Sequence, residues 1–418
     1  MIDTRLYKNS NAIHIAYYGE YLMSSYKNKN YSKKPGVNHF LYKIRDASDS
    51  YVSRILFSGV HWGVITKVLN KVNKLDYWES WHQSWRHTAL QYETIANIAE
   101  EKCHYVTARQ ALLLAATCHH FSEFMYFDYP KKKEAIREKV SEIFIKAIPY
   151  LPYPVETISI KYKGQSLPGY FLSSQFKKLA PTVIIVNGLD TAKEVELMKF
   201  AKEFYDRGLS VLLFDGPGQG VLAGKLPMVM HFDEIIGSVL DYLEYRLDVS
   251  VKNIGIFGVG YGGYLAARSA ANYPFQLNAC VNLSGRYDHD CYHMLNALDR
   301  KNYRYIFGVN SDEKMEKLAI EKLNLKDVNN LSIPLLCIYG RGDNEITDES
   351  ILRMLDWAKG EKEFLFYKEG SQDCINYYQD YIPRISDWLV ERLNVNDVVT
   401  SHRGDEHSKK KKVTYAMQ

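Results

Sequence analysis

The chain has 418 residues, with 53 lysines and arginines against 49 acidic residues. This length accommodates one large α/β domain with an attached helical domain, and the near balance of charge gives no electrostatic case for nucleic-acid binding. The opening stretch MIDTRLYKNSNAIHIAYYGEYL lacks the pattern of a signal peptide, no apolar run reaches membrane-spanning length, and the six cysteines form no CxxC pair. We therefore predict a cytoplasmic protein with reduced thiols and a small-molecule partner, with no membrane and no nucleic acid bound; a homodimer is compatible with this sequence.

Helical spacing with almost no strand character runs from about residue 50 to residue 150, so we predict an all-helical N-terminal domain over residues 1–150. Three tryptophans share one helix face, which predicts an aromatic core stripe rather than a ligand pocket: Trp78, Trp81 and Trp85. The adjacent residues Cys118–His120 point in different directions on a helix, so no metal site is predicted there.

Short β-branched runs alternate with helical segments from residue 155 onward, which is typical of a mostly parallel, doubly wound sheet. The predicted α/β core spans residues 151–395. It starts with a hairpin and continues with the strands TVIIVNG, SVLLFD, NIGIFG, ACVNLSG, PLLCIYG and EFLFYKEG. Helices are predicted at about 193–207, 231–248, 262–273, 348–358 and 376–393. A helical insertion at about 286–330 predicts a lid, and residues 396–418 form a polar tail that we expect to be disordered.

The loops that follow the parallel strands are where a doubly wound fold places its ligand. The first is the glycine turn Asn187–Val195, whose backbone amides are suited to stabilising an oxyanion. The second, Asp215–Val221, matches neither a Walker A nor a dinucleotide fingerprint, so we predict a tight turn and no cofactor. The third is the glycine-rich bend of GIFGVGYGGYLAARSAA, and the fourth carries Asp343. Four such loops in this order predict an enzyme-like site.

Five segments carry a family resemblance: NGLDTAKE, FDGPGQG, GIFGVGYGGYLAARSAA, GRGDNEIT and YKEGSQDCINYYQDYIPRISDWL. With the helical region before them, they resemble the α/β-hydrolase branch that includes the FrsA-like proteins, 2,6-dihydroxypseudooxynicotine hydrolase and the hydrolases that shorten polyketides. The resemblance extends from about residue 50 to residue 395. It implies an α/β-hydrolase fold with a helical lid, and it leaves the activity open.

Two residues depart from the family pattern. Gly260 stands where active relatives have the nucleophilic serine, and Gln372 stands where the pattern EG-x-H-x-C has the catalytic histidine. A Ser-His-Asp mechanism is then chemically unavailable. Glycine at the strained elbow relieves strain and opens space, and the paired changes favour natural divergence over engineered inactivation.

By resemblance, the oxyanion donors are the backbone amides of Leu189 and Tyr261. Asp343 has two equally weighted interpretations, a working base or a relic carboxylate bonded to Gln372 or to loop amides. His289 and His293 have the spacing of a zinc pair but lack a third ligand, so we expect polar lid residues and no metal. We expect Cys374 to be buried packing.

Three functions fit this pattern, in the following order. The first is a non-hydrolytic enzyme of specialised metabolism, a lyase, cyclase, decarboxylase or isomerase that stabilises an enolate of a carbonyl-rich small molecule. The second is a non-catalytic ligand-binding or regulatory pseudo-hydrolase. The third is a hydrolase that uses directly activated water. A retained, enclosed, polar-lined pocket would favour the first function, and a collapsed pocket with an exposed apolar patch would favour the second.

Overall fold

The computed structural model describes residues 51–73, 76–343 and 346–393. The first part of the predicted helical domain, residues 1–50, and the predicted tail, residues 396–418, lie outside the described residues. The boundaries predicted for the two domains therefore stay predictions.

Helices make up the described part of the N-terminal region. After a helical stretch at residues 51–57, the chain forms α1 (Trp62–Leu69), α2 (Tyr77–Glu101), α3 (Tyr105–Ser122) and α4 (Pro130–Ala147). Proline opens α4, a position where its missing N–H costs nothing. Trp81 and Trp85 are fully buried, and the Trp81 Nε1 donates to the Phe121 carbonyl oxygen at 2.8 Å. The predicted core stripe is confirmed for these two residues.

An eight-stranded sheet follows, in the order β1-β2-β4-β3-β5-β6-β7-β8. The strands are β1 (Glu156–Tyr162), β2 (Gln165–Leu172), β3 (Ala180–Val186), β4 (Ser210–Phe214), β5 (Val249–Val259), β6 (Ala279–Leu283), β7 (Leu335–Gly340) and β8 (Lys362–Tyr367). β2 pairs antiparallel with β1 and with β4, and the remaining pairs are parallel. The predicted mostly parallel α/β-hydrolase architecture is confirmed.

The helices between the strands cover both faces of this sheet. They are α5 (Met198–Tyr205), α6 (Asp233–Glu244), α7 (Tyr261–Asn272), α10 (Asp348–Trp357) and α11 (Tyr378–Arg392). Side chains of α5 and α11 share one apolar core with β3, β4 and β6, while α6 packs on α7 and β1. β3, β4, β6 and β7 are buried along their whole length, which explains their continuous apolar sequences.

The predicted lid segment lies between β6 and β7 and is helical. It contains α8 (Ala297–Phe307) and α9 (Asp312–Lys322). The Asn296 side chain accepts from two amides at the start of α8, and Gly308 ends that helix in the left-handed conformation with φ 65°. No helix in the described ranges is long and apolar enough to cross a bilayer.

Candidate active site

A tight turn joins the end of β5 to the start of α7, and Gly260 forms it with φ 55° and ψ −123°. Backbone segments around this turn lie so close together that residues 258 and 262 have no room for a side chain. A Cβ on Gly258 would lie 2.1 Å from the Gly262 carbonyl oxygen, and a Cβ on Gly262 would lie 2.5 Å from the Val186 carbonyl oxygen. This packing presses the N-terminus of α7 against the end of β3.

The loop after β3 is fixed by the buried side chain of Asn187. Its Nδ2 donates to Asp215 Oδ1 at 2.9 Å, and the backbone carbonyl oxygen of Asn187 accepts from Gln219 Nε2 at 2.6 Å. The amides of Leu189 and Tyr261 donate to no oxygen in the ranges that the structure describes, and both residues line one cavity. An oxyanion hole requires such backbone donors, and this role for the two amides stays a prediction.

The second glycine loop, Asp215–Val221, packs around the side chain of Asp215. Its carboxylate is fully buried, forms an ion pair with Lys193 and accepts from the Val221 amide at 3.1 Å. A Cβ on Gly220 would lie 2.2 Å from this carboxylate. The loop therefore closes around its own aspartate, as a tight turn does.

Buried charges join the helical region to the loop after β3. Arg54 donates to Asp190 Oδ2 and to Glu196 Oε1, both at 2.9 Å, and His120 Nε2 lies 3.0 Å from Glu196 Oε1. Burial alone raises the pKa of Glu196, but His120 and Arg54 outweigh it and lower this pKa to about 2. The second Glu196 oxygen accepts from the Ala192 amide at 3.0 Å. The helical region thus holds the loop that carries Leu189.

Two aspartates lie in the loops that follow β7 and β8. Asp343 is 5% exposed, and its Oδ2 accepts from the Asp373 amide at 3.3 Å. Asp373 and Cys374 adopt left-handed conformations, each with φ 52°. This turn aims the Asp373 carboxylate at the elbow, because its Oδ1 lies 3.3 Å from the position of a Cβ on Gly260. Sequence reasoning missed Asp373, and the only signal was an acidic residue next to the position that lacks histidine.

One cavity brings all the predicted site residues together: Leu189, Gly260, Tyr261, Asp343 and Gln372. The cavity has a volume of about 690 Å³, which includes space open to solvent. Its wall carries four carboxylates and one guanidinium: Asp190, Asp299, Asp343, Asp373 and Arg286. The cavity has the polar lining expected for the first of the three functions but is not fully enclosed, so the choice among the three stays a prediction.

The remaining candidates occupy separate environments. His289 is buried in the cavity wall, while the His293 side chain is 61% exposed and lies 4.0 Å from Glu316. Within the described ranges, no three potential ligands gather to hold a metal ion. Cys374 is fully buried, and burial raises the pKa of its thiol, as expected for packing.

Comparison with known proteins gives one family and several relatives. The model of a family described as Esterase FrsA-like matches residues 74–345. The chain is 26% identical to 2,6-dihydropseudooxynicotine hydrolase of Paenarthrobacter nicotinovorans over 342 residues, which are 81% of this chain and 91% of that protein. It is 29% identical over 277 residues to hydrolyase ccsE of Aspergillus clavatus, covering 60% of this chain and 63% of that protein. A crystal structure of 2,6-dihydroxy-pseudo-oxynicotine hydrolase superposes with a TM-score of 0.75 at 25% identity, covering 82% of this chain and 96% of that one.

Proposed function

The chain belongs to the FrsA-like esterase family, and from the geometry of its site we propose that it is a non-hydrolytic enzyme. The proposed reaction removes a proton beside a carbonyl group of a small, carbonyl-rich molecule of specialised metabolism. Lyases, cyclases, decarboxylases and isomerases that pass through an enolate share this requirement for a stabilised oxyanion.

The observation that carries the proposal is the Asp373 carboxylate beside Gly260. Its Oδ1 lies 3.3 Å from where a side chain on residue 260 would begin, in the cavity that also holds Leu189 and Tyr261. A carboxylate opposite two backbone donors suits enolisation. The C–H bond breaks, the proton moves to the carboxylate, and the electron pair moves to the carbonyl oxygen. Return of the proton at another carbon, or loss of a leaving group, completes the reaction.

Asp343 supports the same chemistry through its contact with the Asp373 backbone. Because its Oδ2 accepts from the Asp373 amide, Asp343 helps to hold the left-handed turn that aims the second carboxylate. In this proposal Asp373 is the residue nearest the reacting carbon, and Asp343 is either a second base or a positioning residue.

A second candidate is hydrolysis by directly activated water, and the same gap favours it. A water molecule in the space next to Gly260 would contact Asp373, and the carboxylate would accept its proton as the oxygen attacks a carbonyl. The relatives named hydrolase or hydrolyase make this the alternative to exclude.

Deuterium exchange tests the proposal. The protein is incubated with propiophenone in D₂O, and loss of the α-CH₂ signal is followed by proton NMR, with 4-nitrophenyl acetate hydrolysis measured in parallel. We expect catalysed exchange that Asp373→Asn lowers by about a hundredfold or more. Asp299→Asn is the matched control, since it removes a carboxylate from the same cavity wall and should change the exchange little.

The outcomes separate the candidates. Exchange that survives Asp373→Asn refutes the proposed base. Ester hydrolysis that depends on Asp373 without any exchange supports activated water instead. Ligand binding without exchange or hydrolysis supports the pseudo-hydrolase alternative.

A further inference from the structure

A buried histidine faces the cavity from the segment that follows β6. His289 is 1% exposed and lines the same cavity as Gly260 and Asp373. The proposed proton transfer does not use it. Its partners show which of its two nitrogens is left for a ligand.

One ring nitrogen is already committed. His289 Nδ1 lies 2.8 Å from the Leu323 carbonyl oxygen. A carbonyl oxygen only accepts, so Nδ1 must carry the hydrogen and donate it. Nε2 is then the nitrogen with the lone pair, and it accepts hydrogen bonds.

The surroundings keep this ring neutral. Three tyrosine rings pack around it with centroids at 5.3, 5.1 and 6.0 Å: Tyr261, Tyr264 and Tyr303. Arg286, on the same segment, is a charged group close enough to act on the His289 ring. Burial, and then the positive charge of Arg286, lower the pKa of His289 to about 3, while the bond to Leu323 acts in the opposite direction. At neutral pH His289 therefore presents an acceptor and not a cation.

We propose that His289 determines specificity by accepting a hydrogen bond from a hydroxyl or N–H group that the substrate carries in addition to its carbonyl. This inference rests on the proposed function for the presence of the carbonyl. A ligand of the same shape that lacks the donor leaves His289 Nε2 buried without a hydrogen bond. A site with such a buried acceptor discriminates strongly against that ligand. The substrate class is thus a hydroxylated or N–H-bearing carbonyl compound.

Matched probes test this directly. Dissociation constants are measured by NMR titration for 3′- and 4′-hydroxyacetophenone, for acetophenone and for 4′-methoxyacetophenone, which only accepts. We expect one of the two hydroxyacetophenones to bind about tenfold or more tightly than acetophenone and 4′-methoxyacetophenone. His289→Phe keeps a ring of similar shape and should abolish the preference. His293→Phe changes an exposed histidine on the same segment and should keep it.

A second measurement stands even if His289→Phe fails to fold. In ¹⁵N NMR of the unmodified protein, we expect the Nδ1–H tautomer with no titration between about pH 5 and about pH 9. An Nε2–H tautomer, or a ring that titrates near its ordinary pKa, overturns the inference. Equal binding of all probes to the unmodified protein, or a preference that survives His289→Phe, also overturns it. If the unmodified protein shows the hydroxyl preference but catalyses no deuterium exchange, the proposed function alone is rejected.

Discussion

The elbow gives the most direct test of how the site is built. At φ 55° and ψ −123°, any side chain on residue 260 costs about 1–3 kcal/mol of backbone strain. The new Cβ would find Asp373 Oδ1 at 3.3 Å, so this carboxylate must move by a few tenths of an ångström. We therefore expect Gly260→Ala and Gly260→Ser to fold, with the free energy of unfolding lowered by about 1–3 kcal/mol.

The matched control lies two residues further along. A Cβ on Gly262 would lie 2.5 Å from the Val186 carbonyl oxygen and 2.8 Å from that of Asn187, and neither backbone atom can move without disturbing β3. We expect Gly262→Ala to lose more than about 4 kcal/mol or to be insoluble. Urea unfolding followed by tryptophan fluorescence measures both free energies.

The same series reports on chemistry. Gly260→Ser combined with Gln372→His restores two groups of the family pattern on turns shaped for them, so a fluorophosphonate probe should label the double variant. The reasoning is refuted if substitutions at residue 260 prevent folding while Gly262→Ala is tolerated. Loss of soluble protein only in the double variant, with each single variant sound, would indicate a cavity rebuilt for another purpose.

Further predictions concern the unmodified protein and its buried charges. The unmodified protein should show no fluorophosphonate labelling and no acylation on nitrophenyl esters, because Gly260 offers no nucleophile; labelling within the turn would contradict the alignment. Asp343→Asn should lower deuterium exchange of propiophenone far more than it weakens binding, and unchanged exchange would mark this carboxylate as a relic. Arg54→Met should lower the free energy of unfolding in urea by about 3–5 kcal/mol, because it removes a cation from the buried Glu196 carboxylate; a loss under about 1 kcal/mol would contradict this. Glu123 is a second buried carboxylate, paired with Lys133 and Arg137. The pKa values of Glu123 and Glu196 are lowered to about 2 in the folded protein, from the ordinary value of 4.5, so their contribution to stability is present above about pH 4.5. This contribution is lost as pH falls toward 2. If the two carboxylates are paired as described, the urea midpoint of unfolding should fall across this range.

Local sequence patterns were sufficient for most of the fold. Strands such as β3 and β7 are short, apolar and bounded by glycine turns, so their type follows from neighbouring residues. The helix predicted at 193–207 begins instead with a π-helical turn, Lys193–Leu197, whose charged side chains are buried. Its partners come from distant segments, and the His120–Glu196 contact joins residues 76 positions apart. Local periodicity contains no such information.

The candidate site divides in the same way. Loop order predicted that the turns after the parallel strands meet at one edge of the sheet, and the family resemblance identified Leu189, Gly260 and Asp343 within them. The structure places these three residues around one cavity. The position of Asp373 was not predictable, since it depends on a left-handed turn of two non-glycine residues. The tautomer of His289 depends on the Leu323 carbonyl, which reaches it only through the folded lid segment.

The ion pairs beneath the loop after β3 limit which parts of this chain can be exchanged with those of a relative. Arg54 and His120 come from the helical region, and Glu196 comes from the sheet domain, so each half leaves a buried charge uncompensated when it is inherited without the other. A chimera that grafts the helices of a relative onto this sheet would have to exchange these three residues together. The helices and the sheet are therefore energetically coupled, and a chimera that replaces one of them alone should be less stable than either parent.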